Sequence, residues 1–322
     1  MGEPLAPLRV DANLVAARAT TLGFYSPYHF LPGLAPGPQQ VRFGTGRALA
    51  FGTIANEEVW AMRGATGQWL LATLPWDSVY FGTPTYRLFT GLFGADIAAN
   101  DLATAAQKLR HSLSERGSFY AFSVVPAEDA SLLQALTAGG WRLVETRLTY
   151  YRAAPVPTEM LPHFAVRLAR PEEAATIGQV AAATRNPYDR VHADAWFGLA
   201  RADSYLAHYA EAAVAGSLAD AVLLPDEPDL PIDSFLAIDD LRADAAALDT
   251  NCSRVLLTAV GPANRGWHLR LVAATLHRAA ALGHTHVLMT TQATNRAVFR
   301  TSEKLGFRLG AVSHVLACHH GT

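Results

Sequence analysis

Residues 255–282 read VLLTAVGPANRGWHLRLVAATLHRAAAL, and this is the most informative stretch of the chain. Its first six residues are an apolar run that predicts a β-strand, Val255 to Val260. Gly261 and Pro262 then predict a turn. From about Trp267 to Leu282, apolar residues recur at helical spacing. A strand, a tight turn and a helix in this order indicate an α/β arrangement.

The turn between this strand and helix has the features of an anion site. A helix N-terminus presents free backbone N–H groups and the positive end of the helix dipole. Arg265 and Arg270 add two full charges next to it. The pattern therefore predicts a pyrophosphate site. The alternative is an ordinary strand-to-helix turn capped by Asn264.

This turn resembles the cofactor loop of the GCN5-related N-acetyltransferases, V-x-P-x-x-R-G-x-G-x-G/A. Four residues match that pattern in order and spacing: Val260, Pro262, Arg265 and Gly266. His268 and Arg270 stand where the two later small residues usually lie. These departures imply either a reshaped loop, in which Arg270 reaches a phosphate, or weakened or lost coenzyme A binding.

The resemblance implies that acetyl-CoA is the cofactor. The loop that would meet its pyrophosphate comprises Asn264, Arg265, Gly266, Trp267, His268, Leu269 and Arg270. In this family the strand before the loop separates from its neighbour. Backbone N–H groups near Ala259 and Val260 would then stabilise the oxyanion formed during transfer.

Residues 291–307 resemble the second signature of the same family, an asparagine, a helix and then L-G-F. Asn295 matches the asparagine that meets the pantetheine arm, although it could equally cap the following helix. Ser302 occupies the position where many members have a tyrosine that protonates the departing thiolate. Val298, Ser302 and Leu305 share a helix face, so Ser302 is either a proton relay or a core hydroxyl.

Acetyl transfer to an amine also requires that the amine lose a proton. No Glu lies on the strand from Val255 to Val260. Asp239 and Asp240, at the end of the preceding strand, are the nearest acidic candidates, and the alternative is that they are solvated turn residues. Arg190, His192 and Asp194 precede a helix where this fold builds its acceptor pocket, and they are candidates for binding an anionic group.

The chain contains two similar helix-to-strand junctions, one near the end of each half. A helix stops at Gly140 before Trp141, and another stops at Gly306 before Phe307. We interpret this echo as two related α/β (α+β) units, a tandem fold with a mixed, splayed β-sheet flanked by helices in each half. The run Ala153-Ala154-Pro155-Val156-Pro157 predicts the boundary, giving domains at 1–155 and 156–322.

Most of the chain has clear helix and strand patterns. Helices are predicted near 102–116, 130–138, 172–183, 193–213, 267–282 and 296–304. Strands are predicted near 69–74, 119–125, 141–151, 164–168, 219–224, 235–238, 255–260, 286–291 and 307–316. The first 70 residues are expected to be strands and loops, with short strands at 41–43 and 48–51.

Composition limits the functional class. Half of the 322 residues are hydrophobic and 17% are charged, which excludes a disordered chain. Lys and Arg number 26 against 28 for Asp and Glu, so nucleic acid is not an expected partner. Two distant cysteines support neither a disulfide framework nor a zinc site, and no metal is expected. We expect a cytoplasmic monomer or homodimer without a membrane segment or targeting sequence.

One further match narrows the family resemblance. Leu74 to Gly82 resembles a segment of the dTDP-fucosamine acetyltransferase branch, whose members carry an extra N-terminal domain. This implies N-acetylation, or transfer of another short acyl group, to the primary amine of a small polar acceptor. A nucleotide-linked amino sugar is one candidate, and an amino acid, polyamine or antibiotic amine stays open. The rival hypothesis is a binding or scaffold protein that kept the fold but lost transfer.

Overall fold

The structure is a computed structural model that describes residues 8–154 and 161–321. Its helices are α1 (Ala12–Ala17), α2 (Ala19–Gly23), α3 (Pro36–Arg42), α4 (Thr45–Leu49), α5 (Pro75–Phe81), α6 (Ala99–Ser114), α7 (Ala130–Ala138), α8 (Ala174–Ala183), α9 (Arg190–Ala193), α10 (Leu199–Val214), α11 (Arg242–Leu248), α12 (Trp267–Ala281) and α13 (Arg296–Lys304). Its strands are β1 (Glu57–Ala61), β2 (Gly67–Thr73), β3 (Thr85–Phe93), β4 (Phe119–Pro126), β5 (Arg142–Ala153), β6 (Val166–Leu168), β7 (Ala221–Pro225), β8 (Ser234–Asp239), β9 (Cys252–Val260), β10 (His286–Gln292) and β11 (Arg308–His320).

The chain forms two compact units that exchange strands. The first unit takes Met1–Thr146 and Val312–Thr322, and the second takes Arg147–Ala311. In the second unit β5 pairs antiparallel with β10, and in the first unit β11 pairs antiparallel with β4. The boundary expected between residues 155 and 156 falls in 155–160, outside the described residues. Linker composition carries no information on long-range strand pairing, so the exchange could not be predicted from it.

Both units repeat one order of elements. In the first, β3, α6, β4 and α7 follow one another, and β3 is parallel to β4. In the second, β9, α12, β10 and α13 do the same, and β9 is parallel to β10. Antiparallel strands precede each parallel pair, β1 and β2 in the first unit and β6 to β8 in the second. The predicted tandem fold with a mixed sheet is confirmed.

The strands form one 11-stranded sheet, and the part of it in each unit has helices on both faces, because its strands are apolar on both sides. In β8, Leu236 and Ile238 pack with residues of α12. Phe235 and Ala237 face the other way and pack with residues of α8 and α10. In the first unit α6 and α7 cover one face. Helices α1, α2 and α4 contribute to the core on the other.

The expectation for the first part of the chain was wrong. Residues 41–43 and 48–51 were predicted as strands, but 41–42 belong to α3, 48–49 belong to α4, and the others lie in turns. Helix α4 buries Ala48 against Val59 and Leu70 of the sheet. Tertiary packing of this kind overrides weak local preference. Elsewhere α7 and α13 have the predicted ends.

A buried ion pair lies beyond the point where β3 and β4 stop pairing. Their parallel register ends at Leu88 and Ser123. Past this point Arg18 donates to Thr90 and to Asp129, with Nη2–Oδ2 at 2.5 Å. Tyr25 also donates to Asp129 at 2.7 Å. Burial raises the pKa of Tyr25 well above its usual value, so the phenol stays protonated. Arg18 and Asp129 thus form part of the wall of a cavity of about 450 Å³ in the first unit.

We predict that Arg18→Met lowers the free energy of unfolding by about 3 kcal/mol, because the buried Asp129 carboxylate loses its cation. Urea denaturation measures this effect. The matched control is Arg63→Met, since Arg63 and Glu115 form an exposed pair at 3.7 Å. That control should change stability by less than about 0.5 kcal/mol. Equal effects of the two substitutions would contradict a structural role for the buried pair.

Candidate functional site

The parallel strands β9 and β10 separate toward their carboxyl ends. Their pairing runs from Cys252 and His286 to Val255 and Met289 and goes no further. Beyond that point β9 stays paired with β8, and β10 stays paired with β5. The β9 backbone groups that face β10 therefore have no strand partner there. This is the splayed sheet that the family resemblance implies.

A cavity of about 190 Å³ lies where the two strands separate. Its wall includes residues 255–259 of β9, residues 289–292 of β10, and Asn295 and Val298 at the start of α13. The segment after α8 closes one side with Arg185, Asn186 and Asp189. Asn186 Nδ2 donates to Gln292 Oε1 at 2.7 Å, which ties this segment to the end of β10.

The acidic group in this wall, Asp189, is already engaged. Its carboxylate accepts the backbone N–H groups of Val191 and His192 and the His192 ring at 2.7 Å. His192 Nε2 lies 3.2 Å from Asp203. Burial by itself lowers the pKa of His192, but the bonds and charges of Asp189 and Asp203 outweigh it and raise that pKa. This network positions the α8–α9 segment.

Asn264 anchors the loop after β9 and does not cap helix α12. Asn264 is 1% exposed and donates to the carbonyl of Pro231 and to Ser234 Oγ. Gly266 instead occupies the N-cap of α12 with φ of +95°, and no side chain caps the helix. A Cβ at Gly266 would meet nothing within 4 Å, so the helix end is open. The N–H groups of Trp267, His268 and Leu269 are left for a ligand.

Two acidic side chains lie beside this loop. Asp233 Oδ2 accepts the N–H of Ala263 at 2.8 Å. Its carboxylate is so close that a Cβ at Gly261 would lie 2.1 Å from Oδ1, which explains the glycine. Glu227 holds Arg270 at 2.8 Å. Arg265 is exposed and forms no ion pair within the described ranges.

His268 is turned away from the loop. Its Nδ1 lies 2.8 Å from Thr301 Oγ1 on α13. Burial lowers the pKa of His268 to about 4, so the ring is neutral near pH 7. Of its neighbours, Trp267 is core and Leu269 packs against that core. His268 therefore joins two helices where the family pattern has a small residue.

The remaining predicted residues fall in different places. Asn295 lines the cavity and also caps α13, accepting the N–H of Val298 at 3.3 Å. Ser302 is 1% exposed on the same buried face as Val298 and Leu305, as predicted. Its Oγ has no hydrogen-bond partner in the described structure, and Ser302 does not line the cavity. Ala259 lines the cavity, and Val260 pairs with Ser234.

Asp239 is not brought to this cavity. It pairs across the sheet with Arg254, near the start of β9, whereas the loop follows the end of that strand. Its Oδ2 accepts from Arg254 at 2.7 Å, and its Oδ1 accepts the N–H of Leu241. The neighbouring Asp240 is buried, and its carboxylate accepts hydrogen bonds from the two terminal nitrogens, Nη1 and Nη2, of Arg278.

The candidates before α10 are also structural in part. His192 is the buried ring between two carboxylates described above. Asp194 is 4% exposed and accepts the N–H of Trp196. Asn186 and Gln292 were not among the predicted site residues, because they lie at a helix end and a strand end that meet only in the fold.

Comparison with known proteins gives similarity at the level of structure. No family model matches the chain, and no curated protein matches it. A GCN5-related N-acetyltransferase from Sphaerobacter thermophilus superposes with a TM-score of 0.56 at 12% identity, over 98% of this chain and 95% of that one. The chain has the fold of that enzyme.

Two other solved structures are similar. A conserved protein of unknown function from Staphylococcus epidermidis has a TM-score of 0.51 at 11% identity, over 82% of this chain and 94% of that one. A tandem GNAT protein from the clavulanic acid biosynthesis pathway has a TM-score of 0.45 at 15% identity, over 98% of both chains.

Neither a membrane-spanning helix nor a metal cluster is present in the part of the chain that the structure describes. None of its helices combines the length and apolar character needed to cross a bilayer. Its His, Cys, Asp and Glu side chains form no group of three that could hold a metal ion.

We predict that His268 makes stability depend on pH. Its pKa is about 4 when folded and about 6.5 when unfolded. As pH falls below about 6.5, the unfolded chain takes up a proton that the folded chain refuses, so stability is lost. Between pH 7 and pH 5 the wild type should lose about 2 kcal/mol more than His268→Gln. Urea denaturation at both pH values checks this, and equal losses would contradict it.

Proposed function

We propose that the second unit is an acyl-CoA-dependent N-acyltransferase, with acetyl-CoA as donor and the primary amine of a small polar molecule as acceptor. One observation carries this proposal. The open N-terminus of α12 follows directly on a strand that has separated from its parallel neighbour. An open helix N-terminus and a strand with unpaired backbone groups are therefore consecutive in the chain, which supports one site for both.

The residues present suit coenzyme A. The pyrophosphate would meet the N–H groups of Trp267, His268 and Leu269, with the exposed Arg265 beside them. The amide-containing arm suits the backbone of β9 and the polar side chain of Asn295, both in the cavity wall. Arg270 joins the phosphates only if it leaves Glu227. Bound at this site, the coenzyme supplies an activated thioester.

The chain's own groups provide the rest of the chemistry. Backbone N–H groups of β9 near Ala259 and Val260 stabilise the oxyanion of the transition state, because donors fixed in advance need no reorganisation. Ser302 would pass its hydroxyl proton to the departing thiolate and take another proton from water. Its hydroxyl has no internal partner, and it lies one helical turn from Val298 in the cavity wall. We do not assign Asp239 to the reaction, since Arg254 holds it elsewhere.

The proposed class of acceptor is inferred from the side chains of the cavity wall. Side-chain amides and hydroxyls there suit a polar molecule, and the neutral amine is the nucleophile. A nucleotide-linked amino sugar is supported by the resemblance at Leu74 to Gly82 alone. Turnover of acetyl-CoA with such a sugar, a polyamine and an amino acid in parallel distinguishes these acceptors.

We predict that acetyl-CoA binds with a stoichiometry of about one per chain, because the loop from Val260 to Gly266 that resembles a coenzyme loop lies in the second unit, whereas a buried Arg18–Asp129 ion pair lines the corresponding cavity of the first. Isothermal titration calorimetry measures this. Arg265→Ala should weaken binding about tenfold through loss of a phosphate contact. Arg63→Ala, at another exposed arginine, should leave it unchanged. If folded protein shows no binding at millimolar acetyl-CoA, the rival binding or scaffold function replaces this proposal.

A separate prediction concerns Ser302→Ala. Because the Ser302 hydroxyl is buried without a partner, its removal should leave the melting temperature unchanged or raise it. If the hydroxyl relays the proton, turnover falls about tenfold or more while the affinity for acetyl-CoA stays the same. Turnover equal to wild type would remove Ser302 from the reaction.

A further inference from the structure

The first unit contains a cavity of about 690 Å³ that has no part in the acyltransferase proposal. It lies between β1, which is the edge strand of its sheet, and helix α6. Its wall includes Trp60, Trp69, Leu109 and Lys108. Sites for small molecules commonly have volumes of roughly 300–1,000 Å³. The space is therefore large enough for one.

Two tryptophans give this cavity an aromatic wall. Trp60 of β1 and Trp69 of β2 are directly opposite in the antiparallel register, so their side chains share a face of the sheet. Both pack with the core formed by α6. Leu109 of α6 adds an aliphatic surface. A flat apolar body would find favourable contact here.

One of these tryptophans has an unused donor. Trp60 Nε1 donates to Glu58 at 2.7 Å. Trp69 is 1% exposed, yet its Nε1 has no acceptor in the described ranges. A buried donor without a partner is costly. A ligand that brings an acceptor oxygen would remove that cost.

The charges around the cavity favour an anion. Its three acidic residues are paired with arginines: Glu57 with Arg47, Glu58 with Arg116 at 3.2 Å, and Glu115 with Arg63 at 3.7 Å. Lys108 also lines the cavity and forms no ion pair with any residue that the structure describes. The acidic charges are thus compensated, and the ammonium of Lys108 is left over.

We propose that this cavity is a second ligand site, for a small amphipathic anion with an aromatic or other flat apolar body. The body packs against Trp60 and Trp69, an oxygen accepts the Trp69 indole N–H, and the carboxylate or similar group pairs with Lys108. The site is independent of coenzyme A, because all of its residues belong to the first unit.

The test uses 2-naphthoate as the probe and full-length protein, with binding followed by calorimetry. Wild type should bind it, and Trp69→Phe should weaken binding about fivefold through loss of the indole donor. The matched control is Trp141→Phe. Trp141 is also 1% exposed with an unpartnered indole N–H, but it does not line this cavity. Equal affinities of the two variants would overturn the proposal, as would absence of binding to wild type at millimolar probe.

The charge is tested by comparing 2-naphthoate with the neutral 2-naphthamide. Wild type should prefer the carboxylate about fivefold, and Lys108→Gln should abolish that preference. Lys304→Gln changes the only other lysine of the chain, and this variant should still prefer the carboxylate. A preference that survives in Lys108→Gln would contradict the assigned role of Lys108. None of these variants should change the affinity for acetyl-CoA, which separates this test from that of the acyltransferase.

Discussion

The loss of pairing between β9 and β10 after Val255 and Met289 is the constraint on which the proposed site depends. Parallel strands joined by a crossover helix normally stay hydrogen-bonded along their length. Here each strand keeps its outer neighbour while the inner edges separate. The structure around the cleft supports this opening. Asn186 binds Gln292 at one strand end, and Asn264 anchors the loop after the other.

The two units share one order of elements but differ in the side chains beyond their parallel strand pair. Both have a parallel pair whose register ends early, at Leu88 in β3 and at Val255 in β9. In the first unit a buried ion pair between Arg18 and Asp129 lies beyond that point. In the second unit, the place where β9 and β10 stop pairing has a cavity with amide and hydroxyl side chains. The difference lies in side chains and not in topology, because the Arg18–Asp129 ion pair forms part of the wall of the first unit's cavity of about 450 Å³.

Local sequence patterns predicted the elements well and their long-range relations poorly. The amphipathic helices α7 and α13 end at the predicted residues, because caps and periodicity are local. Helices α3 and α4 were missed, because packing and not periodicity stabilises them: α4 packs against the sheet, and α3 packs against α2 and α4. The exchange of β5 and β11 was missed for a related reason. Strand pairing between residues far apart leaves no mark on composition.

The sequence predicted where the candidate site lies in the chain, but it did not predict the contacts of the side chains there. The strand-loop-helix pattern located the open N-terminus of α12 and the cleft beside it. It could not show that Asn264 turns toward Ser234, that Glu227 holds Arg270, or that His268 joins α13. Each of these depends on a partner 30 or more residues away.

The central claim is that the separated end of β9 and the start of α12 form one coenzyme site. Amide hydrogen exchange followed by mass spectrometry, with and without acetyl-CoA, tests it most directly. The account predicts slower exchange in residues 256–269 when acetyl-CoA is present and no change in residues 85–102 of the first unit. Protection confined to the first unit, or no protection anywhere at saturating acetyl-CoA, would contradict it.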